Sequence, residues 1–339
     1  MARKSKANNI NLIADEAGVS VASVSRVLNN HPGVSERIRE RVMAAVQRHH
    51  FSPDKATERR LRLCVLLGTG DITDYMSTLL TGMNLAAGEE GVELSVHPCH
   101  QMEGPLLRHC RDWRADGVAV IGGDSLFGEL PSVGLAGLPC MVLNGLVLGD
   151  GIGSVCCSNS ALLLLLKHLQ SQGHRRIAYL NSVPDCRDYS ERVKVYRDFM
   201  SSLGESPDQL LVSPYPIGHI EGIGRDMEAG YQQTMQLLAR EHEVTAIVCA
   251  NDELAFGCYK ACADNGLRIP QDISVTGYDD QSFAKYLTPA LTTIRQPLTF
   301  MGRRAIHDLC AVIRGNEAQL QHESLMPELV IRNSVAARH

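Results

Sequence analysis

NINLIADEAGVSVASVSRVLNNHPGVSERIRERVMAAVQRHHF, residues 9–51, holds three short amphipathic segments in succession. Ile10, Ile13, Ala14 and Ala17 recur at helical spacing, with Asn9 placed as the N-cap ahead of them. Gly18 supplies the residue that ends that helix at positive φ. Ser20 caps a second short helix, whose inner face is Val24 with Val27 or Leu28. A third helix starts at Ser35 and runs to about His49, turning Ile38, Val42, Ala45 and Val46 inward. Helix, glycine turn, helix and a supporting helix is the helix-turn-helix plan, in which the second helix enters the DNA major groove. Val21, Ala22, Ser23, Ser25 and Arg26 are then the candidate base readers, with Asn9, Ser20 and Asn29 beside them. A plain three-helix bundle that meets no nucleic acid has the same periodicity.

Charge separates the two readings. Through Arg62 the chain holds twelve Lys and Arg against six Asp and Glu, a balance of +6. The whole chain has 33 against 38, so the remainder carries 21 against 32, or −11. A basic head on an acidic body is the electrostatic footprint of a protein whose head alone meets phosphate. The 54–62 connector, DKATERRLR, adds Arg59 and Arg60 to the candidate DNA contacts.

The stretch AGVSVASVSRVLNN followed by VSERIRERV closely resembles the headpiece of the lactose-repressor (LacI/GalR) family of bacterial transcription regulators. The resemblance covers roughly residues 9–53 and 63–335. It implies a double-stranded DNA operator as partner, a small sugar-like effector and a homodimer. The tetramers of that family need a leucine-heptad tail after the last strand; here the sequence runs on only as NSVAARH. Family members also carry P-N-x-x-A-x-x-L after the headpiece, whose Leu wedges into the minor groove. In this chain Thr57 stands in the place of the Ala and Arg60 in the place of the Leu. Leu61 lies too close to the first strand to serve instead, so a headpiece held by charge, through Arg59, Arg60 and Arg62, is expected.

With 339 residues the chain has room for two or three domains, and 44% hydrophobic and 21% charged residues make an ordinary globular composition. MARKSKANN has no apolar core of a signal peptide, and the longest apolar run, 161–166, is too short to span a bilayer. A cytoplasmic protein without membrane contact is expected. Of eleven cysteines, Cys64, Cys140, Cys156, Cys157 and Cys249 fall in predicted strands and Cys258, Cys262 and Cys310 on predicted helices. None forms a C-x-x-C pair or a zinc-like spacing, so they read as small buried hydrophobes in a reducing compartment.

From residue 63 on, short apolar runs alternate with helical patterns. Strands are expected at 63–67, 92–97, 117–121, 140–143 and 155–157, with helices at 76–90, 104–113 and 160–172. The scheme repeats with strands at 177–180, 210–212, 246–249 and 274–278 and helices at 190–203, 226–240 and 253–265. A crossing at 292–295, a helix at 298–314 and a strand at 329–332 follow. This is an α/β pattern with too many strands for one sheet, so two doubly wound lobes of parallel strands are expected. The family resemblance makes them a two-lobed, periplasmic-binding-protein-like effector domain. The expected domains are a headpiece at 1–53, a connector at 54–62 and the effector domain at 63–339. Its first lobe spans about 63–158 and 293–322, its second about 159–292 and 323–339.

Catalysis finds little support. There is no Walker A sequence, no G-x-S-x-G elbow, and Met227 stands where a dinucleotide fingerprint needs its third Gly. No catalytic, cofactor or metal residues are expected. The binding candidates sit past strand ends, where side chains point into an interlobe cleft. The family resemblance maps ligand positions onto Asn251 in CANDELAFG, Asp279 in GYDD, Arg192 in SERVKVYRDF and Tyr75 in TDYMSTLLTGM. It adds Asn144 in LPCMVLN, Gln296 in TTIRQP, and Arg225, where relatives carry an aromatic that stacks on sugar. Each has a plainer reading: Asn251 as a helix cap, Asp279 as a turn brace, Arg192 and Arg225 as surface residues, Tyr75 as core. The expected function is a ligand-controlled repressor of carbohydrate genes. The rivals are a sugar-binding module without DNA regulation and a regulator gated by a protein partner.

Overall fold

The computed structural model describes residues 12–28, 34–49, 60–68, 72–99, 102–122, 124–182, 187–212, 224–240 and 243–338. They fall into two compact units, one ending at Arg60 and one starting at Leu61.

The first unit is a three-helix headpiece. Helix α1 covers 12–17 among the described residues, α2 is Val21–Leu28 and α3 is Glu36–Arg48. Gly18 turns α1 into α2 at φ +59°, as expected of that residue. Ile13, Ala14, Ala17, Val24, Val27, Val42, Ala45 and Val46 form the core, with Ile38 half-buried beside it. Each Val or Ile removed from water there contributes roughly 1.5–3 kcal/mol. Arg48 pairs with Glu16 at 2.8 Å, tying α3 to α1.

The second unit opens on a six-stranded parallel sheet in the order β11-β5-β4-β3-β1-β2. Its strands are β1 Arg62–Leu67, β2 Glu93–Pro98, β3 Gly117–Ile121, β4 Cys140–Leu143, β5 Ile152–Cys157 and β11 His322–Leu325. Successive β1 side chains face opposite layers, as the two-residue period requires. Leu63, Val65 and Leu67 meet α4 (Asp74–Glu90) and α13 (Leu298–Ile313). Cys64 and Leu66 meet α5 (Leu106–Asp112), α6 (Asp124–Phe127) and α7 (Leu130–Leu135). Burial on both faces explains why β1, β3 and β4 read as unbroken apolar runs.

The second lobe carries a four-stranded parallel sheet, β7-β6-β8-β9. These strands are β6 Ile177–Leu180, β7 Leu211–Val212, β8 Ala246–Cys249 and β9 Ser274–Thr276. Helices α8 (Ala161–Ser171), α9 (Arg187–Ser202), α10 (Pro207–Leu210), α11 (Arg225–Arg240) and α12 (Asp252–Asp264) surround it. A two-stranded antiparallel ribbon, β10 (Thr293–Arg295) with β12 (Glu328–Val330), joins its β9 side through bridges Thr276–Thr292 and Asp279–Arg295.

Two expected lobe limits move. Thr293–Arg295 was assigned to the first lobe, but these residues pair with β12 and Ile294 is buried in the second lobe's core. Residues 323–325 were assigned to the second lobe, but β11 pairs with β5 in the first lobe's sheet. The polar sequence HESL gave β11 no apolar run to be recognised by. The chain thus passes between lobes three times, near 158–160, 296–297 and 326–327.

The ten described cysteines are free thiols. Burial pushes Cys99 up to about 11 and Cys140 up to about 12, so both stay neutral and behave as small apolar residues. No helix among the described residues is long and apolar enough to cross a membrane.

Candidate functional site

Two surfaces carry the candidate residues, one in each unit. On the headpiece, the Ser23 amide donates to Ser20 Oγ at 3.1 Å, which caps α2 as the sequence implies. With Val24 and Val27 buried, α2 shows Val21, Ala22 and Arg26 outward, with Ser20 exposed ahead and Ser23 half-buried. Val21 is 45% exposed. Ser25 lies on the same helix. Arg60 is exposed. Asn9, Asn29 and Arg59 lie outside the described residues.

Arg62, expected to help hold phosphate, is committed elsewhere. Its amide donates to Asp116 at 2.8 Å and its guanidinium to Glu93 at 3.0 Å. The Leu61 carbonyl accepts from the Glu93 amide at 2.8 Å, so the sheet's hydrogen bonding already reaches Leu61.

The second surface is a cavity of about 310 Å³ between the lobes. Tyr75 and Thr78 of α4 and Phe300 of α13 line it from the first lobe, Asp279 and Gln281 from the second, and Gln296 from the crossing. Three of these residues, Tyr75, Gln296 and Asp279, are joined by a hydrogen-bonded chain through Asn144, which stands behind the lining. Asn144 Nδ2 donates to the Tyr75 hydroxyl and, at 3.0 Å, to Gln296 Oε1; Gln296 Nε2 donates to Asp279 Oδ1 at 2.6 Å. Asn144 follows β4 at φ +50° and accepts the Cys157 amide at 3.1 Å, which fixes its amide plane. Asp279 and Asp280 have φ of +111° and +53°. Two consecutive non-glycine residues in that region store on the order of 1–3 kcal/mol each, a strain typical of ligand clamps. Arg295 at 2.7 Å and Arg332 at 2.6 Å both pair with Asp280, bracing the turn from β10 and from just beyond β12.

Arg192 and Asn251 lie apart from the cavity lining. Arg192, 4% exposed, donates to the Ala250 carbonyl at 3.0 Å and stacks over Tyr278 at 3.7 Å. It thereby props the residues preceding Asn251 and Asp279. Asn251 accepts the Leu254 amide at 2.8 Å, capping α12, and donates to Asp226 Oδ2 at 2.5 Å. Arg225 is exposed at the first position of α11.

Sequence reasoning passed over four acids. Asp226 accepts from both Asn251 and Ser182. Asp252 is fully buried, accepting Thr293 Oγ1 at 2.6 Å and the Gln281 amide at 2.7 Å, and so ties α12 to β10. Burial, then the charge of Asp279, holds its carboxyl well above the usual range. Glu253 is pushed up to about 7 by burial, then by Asp226 and Asp74, with a hydrogen bond from Gln281 opposing. Asp74, in the first turn of α4, accepts the Ser282 amide at 2.9 Å and so links the lobes. The only sequence cue was their position at helix starts.

Among the described residues no group of three or more His, Cys, Asp or Glu is placed to hold a metal.

The sequence pattern of bacterial regulatory proteins of the lacI family matches residues 9–54. That of the periplasmic binding protein-like domain matches residues 166–335. The HTH-type transcriptional regulator GalR of Escherichia coli K12 is 30% identical over 341 residues, covering 96% of this chain and 94% of its own. The chain belongs to the lacI family. It is a DNA-binding transcriptional regulator. The HTH-type transcriptional repressor PurR of Erwinia tasmaniensis is likewise 30% identical, covering 96% of each chain. The lac repressor dimer bound to operator and the anti-inducer ONPF superposes on this LacI-family chain with a TM-score of 0.69. It is 25% identical and covers 96% of this chain and 98% of its own. A transcriptional regulator CelR–cellobiose complex shares the fold at a TM-score of 0.70 and 23% identity, covering 96% and 99%.

Proposed function

We propose that this LacI-family regulator represses carbohydrate genes as a homodimer in the cytoplasm, and that a small sugar-like effector between its lobes sets its operator affinity. The observation that carries the reading is the Tyr75–Asn144–Gln296–Asp279 chain, of which Tyr75, Gln296 and Asp279 line the interlobe cavity. It offers a ring face, two neutral amides and a carboxylate, the groups a polyol needs. The relatives support it: one neighbour holds cellobiose, another an anti-inducer together with operator.

In this reading Tyr75, Asn144, Asp279 and Gln296 touch the effector. Asn251 reaches it from the α12 cap, Arg192 orients the loops beneath, and Arg225 meets what protrudes. Residues 1–53 read DNA, with Ser20, Val21, Ala22, Ser23, Ser25, Arg26 and the flanking Asn9 and Asn29 at the groove and Arg59 and Arg60 on phosphate. The 54–62 stretch connects them to the effector domain. The protein binds its effector without transforming it.

The test pairs genome-wide footprinting of the full-length protein with gel shifts on the site it yields, titrated with mono- and disaccharides. Specific binding relieved or strengthened by one sugar is expected. An ordinary operator complex that no sugar alters, or no sequence-specific complex, sinks the reading.

A further inference from the structure

Asp74 opens α4, but it is not the cap of that helix. Thr73 is the N-cap, and its Oγ1 accepts the Met76 amide at 3.3 Å. The Asp74 carboxylate is therefore available to the other lobe, and its Oδ2 accepts the Ser282 amide at 2.9 Å. Both residues line the interlobe cavity. The bond joins the lobes by a link that does not run through the chain itself.

Each end of this bond is fixed to its own lobe. On the second-lobe side the Asp279 amide donates to the Ile294 carbonyl at 2.8 Å and the Gln281 amide to Asp252 at 2.7 Å. Arg295 and Arg332 hold Asp280 between them. Three successive residues are thus anchored within the second lobe, and the fourth, Ser282, is held by the first. On the first-lobe side α4 cannot shift alone. A Cβ on Gly82 would stand 2.1 Å from the Thr299 carbonyl oxygen, and one on Gly302 2.2 Å from that of Leu79, so α4 and α13 touch backbone to backbone. The distance from Asp74 to the Ser282 amide therefore follows the separation of the lobes.

That separation matters to the cavity. Tyr75 adjoins Asp74, and Asp279 lies three residues before Ser282, so the bond spaces two of the groups that line the cavity from opposite lobes. We propose that Asp74 is a positioning residue of the effector response: by holding the Ser282 amide across the cleft it sets the spacing of Tyr75 and Asp279 and favours the lobe arrangement that the effector binds. The proposal rests on the reading of the cleft as the effector site. A bond made at one lobe separation and lost at another is a differential contact, and it shifts the populations of the two. An effector bridging Tyr75 and Asp279 favours the same arrangement, so losing the bond lowers the binding-competent fraction and weakens apparent affinity.

The test is calorimetric titration of the full-length protein with glucose, galactose, ribose and cellobiose. Wild type is compared with Asp74→Ala, Asp74→Asn, Ser282→Pro and the double variant Asp74→Ala with Ser282→Pro, and melting curves show whether each is folded. Proline suits the site. The Gln281 carbonyl accepts the Ala284 amide at 2.9 Å and Phe283 has φ −83° and ψ −18°, which makes Ser282 the second residue of a type I turn. Asp74→Ala is expected to raise the Kd of a sugar that binds wild type by about tenfold, the scale of one hydrogen bond to a carboxylate. Asp74→Asn keeps an oxygen acceptor and should stay within about threefold of wild type. Ser282→Pro removes the donor and should match Asp74→Ala, with the double variant no weaker than either.

A wild-type Kd in Asp74→Ala overturns the proposal. Equal losses in Asp74→Ala and Asp74→Asn, with Ser282→Pro unaffected, mean that the charge of Asp74 meets the effector itself; they overturn it too and leave the effector cleft standing. If Ser282→Pro fails to fold, amide exchange decides: the 279–283 segment should take up deuterium faster in Asp74→Ala and not in Asp74→Asn, and any other pattern overturns the bond's role. Silence of the wild type toward every sugar brings down the effector reading and this role with it.

Discussion

Asp279 concentrates the residue-scale argument, since it combines left-handed backbone, near-complete burial and a 2.6 Å bond from Gln296. Asp279→Ala should abolish the effector's influence on operator binding while leaving operator affinity itself within about twofold, because the headpiece core shares no residue with the cleft. Titrating effector into a gel shift checks this; unchanged half-effect concentration removes Asp279 from the site. Asn251→Ala should do more, since its side chain also caps α12. About 1 kcal/mol of stability goes with the cap, read as a lower melting temperature. Glu253 makes a pH prediction. Its folded pKa of about 7 lies above its ordinary 4.5, so the native state holds a proton that the unfolded chain has released in between. Stability is therefore fullest below about 4.5 and falls as pH rises to about 7, beyond which this group changes nothing more. Denaturant midpoints across that window should fall less steeply in Glu253→Gln. The slope that remains includes the contribution of Asp252, which is raised in the same direction.

Elements pack here through glycine. A Cβ on Gly257 of α12 would stand 1.8 Å from the Met227 carbonyl of α11, so those two helices touch backbone to backbone. Gly257→Ala must separate them and should cost at least about 2 kcal/mol. Gly88, on the exposed side of α4, has open space around it, and Gly88→Ala should instead stabilise by about 0.5–1 kcal/mol. Opposite shifts of the melting temperature are the check. The connector carries a second element-scale prediction. Leu61 is half-buried and its carbonyl is held by Glu93, so it has little freedom to wedge into a groove. Leu61→Ala should change operator affinity by less than about 1 kcal/mol, under tenfold. A bending assay showing a sharp central kink that Leu61→Ala erases would refute this.

At the scale of the whole molecule, charge is divided between a head at +6 and a body at −11. Two heads making roughly 6–10 phosphate contacts should lose about 10³–10⁵ in affinity between about 50 and 200 mM salt. A flat response would count against phosphate-led binding. One eight-residue recognition helix reads few base pairs, and two-fold operators answer that by pairing heads. Light scattering should therefore give a dimer, and a stable tetramer would overturn the assignment.

Local chemistry wrote much of this protein legibly. The headpiece follows from apolar residues at helical spacing and one glycine turn, because three short helices need only their own inner faces to make a core. The alternation of apolar strands and helices announced two parallel sheets, and 117–121, 140–143, 177–180 and 246–249 were read to the residue. Tyr75, Asn144, Asp279 and Gln296 were legible singly, through likeness to a known family, and the folded chain joins them by hydrogen bonds. Other features exist only in three dimensions. HESL is a strand because β5 offers it an edge, and 293–295 sits with the second lobe because 328–330 pairs with it. Asp74, Asp226 and Glu253 are ordinary helix-start acids in sequence. Strand order brings them near one another, and partial burial weakens the screening between their charges, which raises Glu253. Sequence periodicity reports which face of an element is buried, and only the packing of distant elements decides which charges meet.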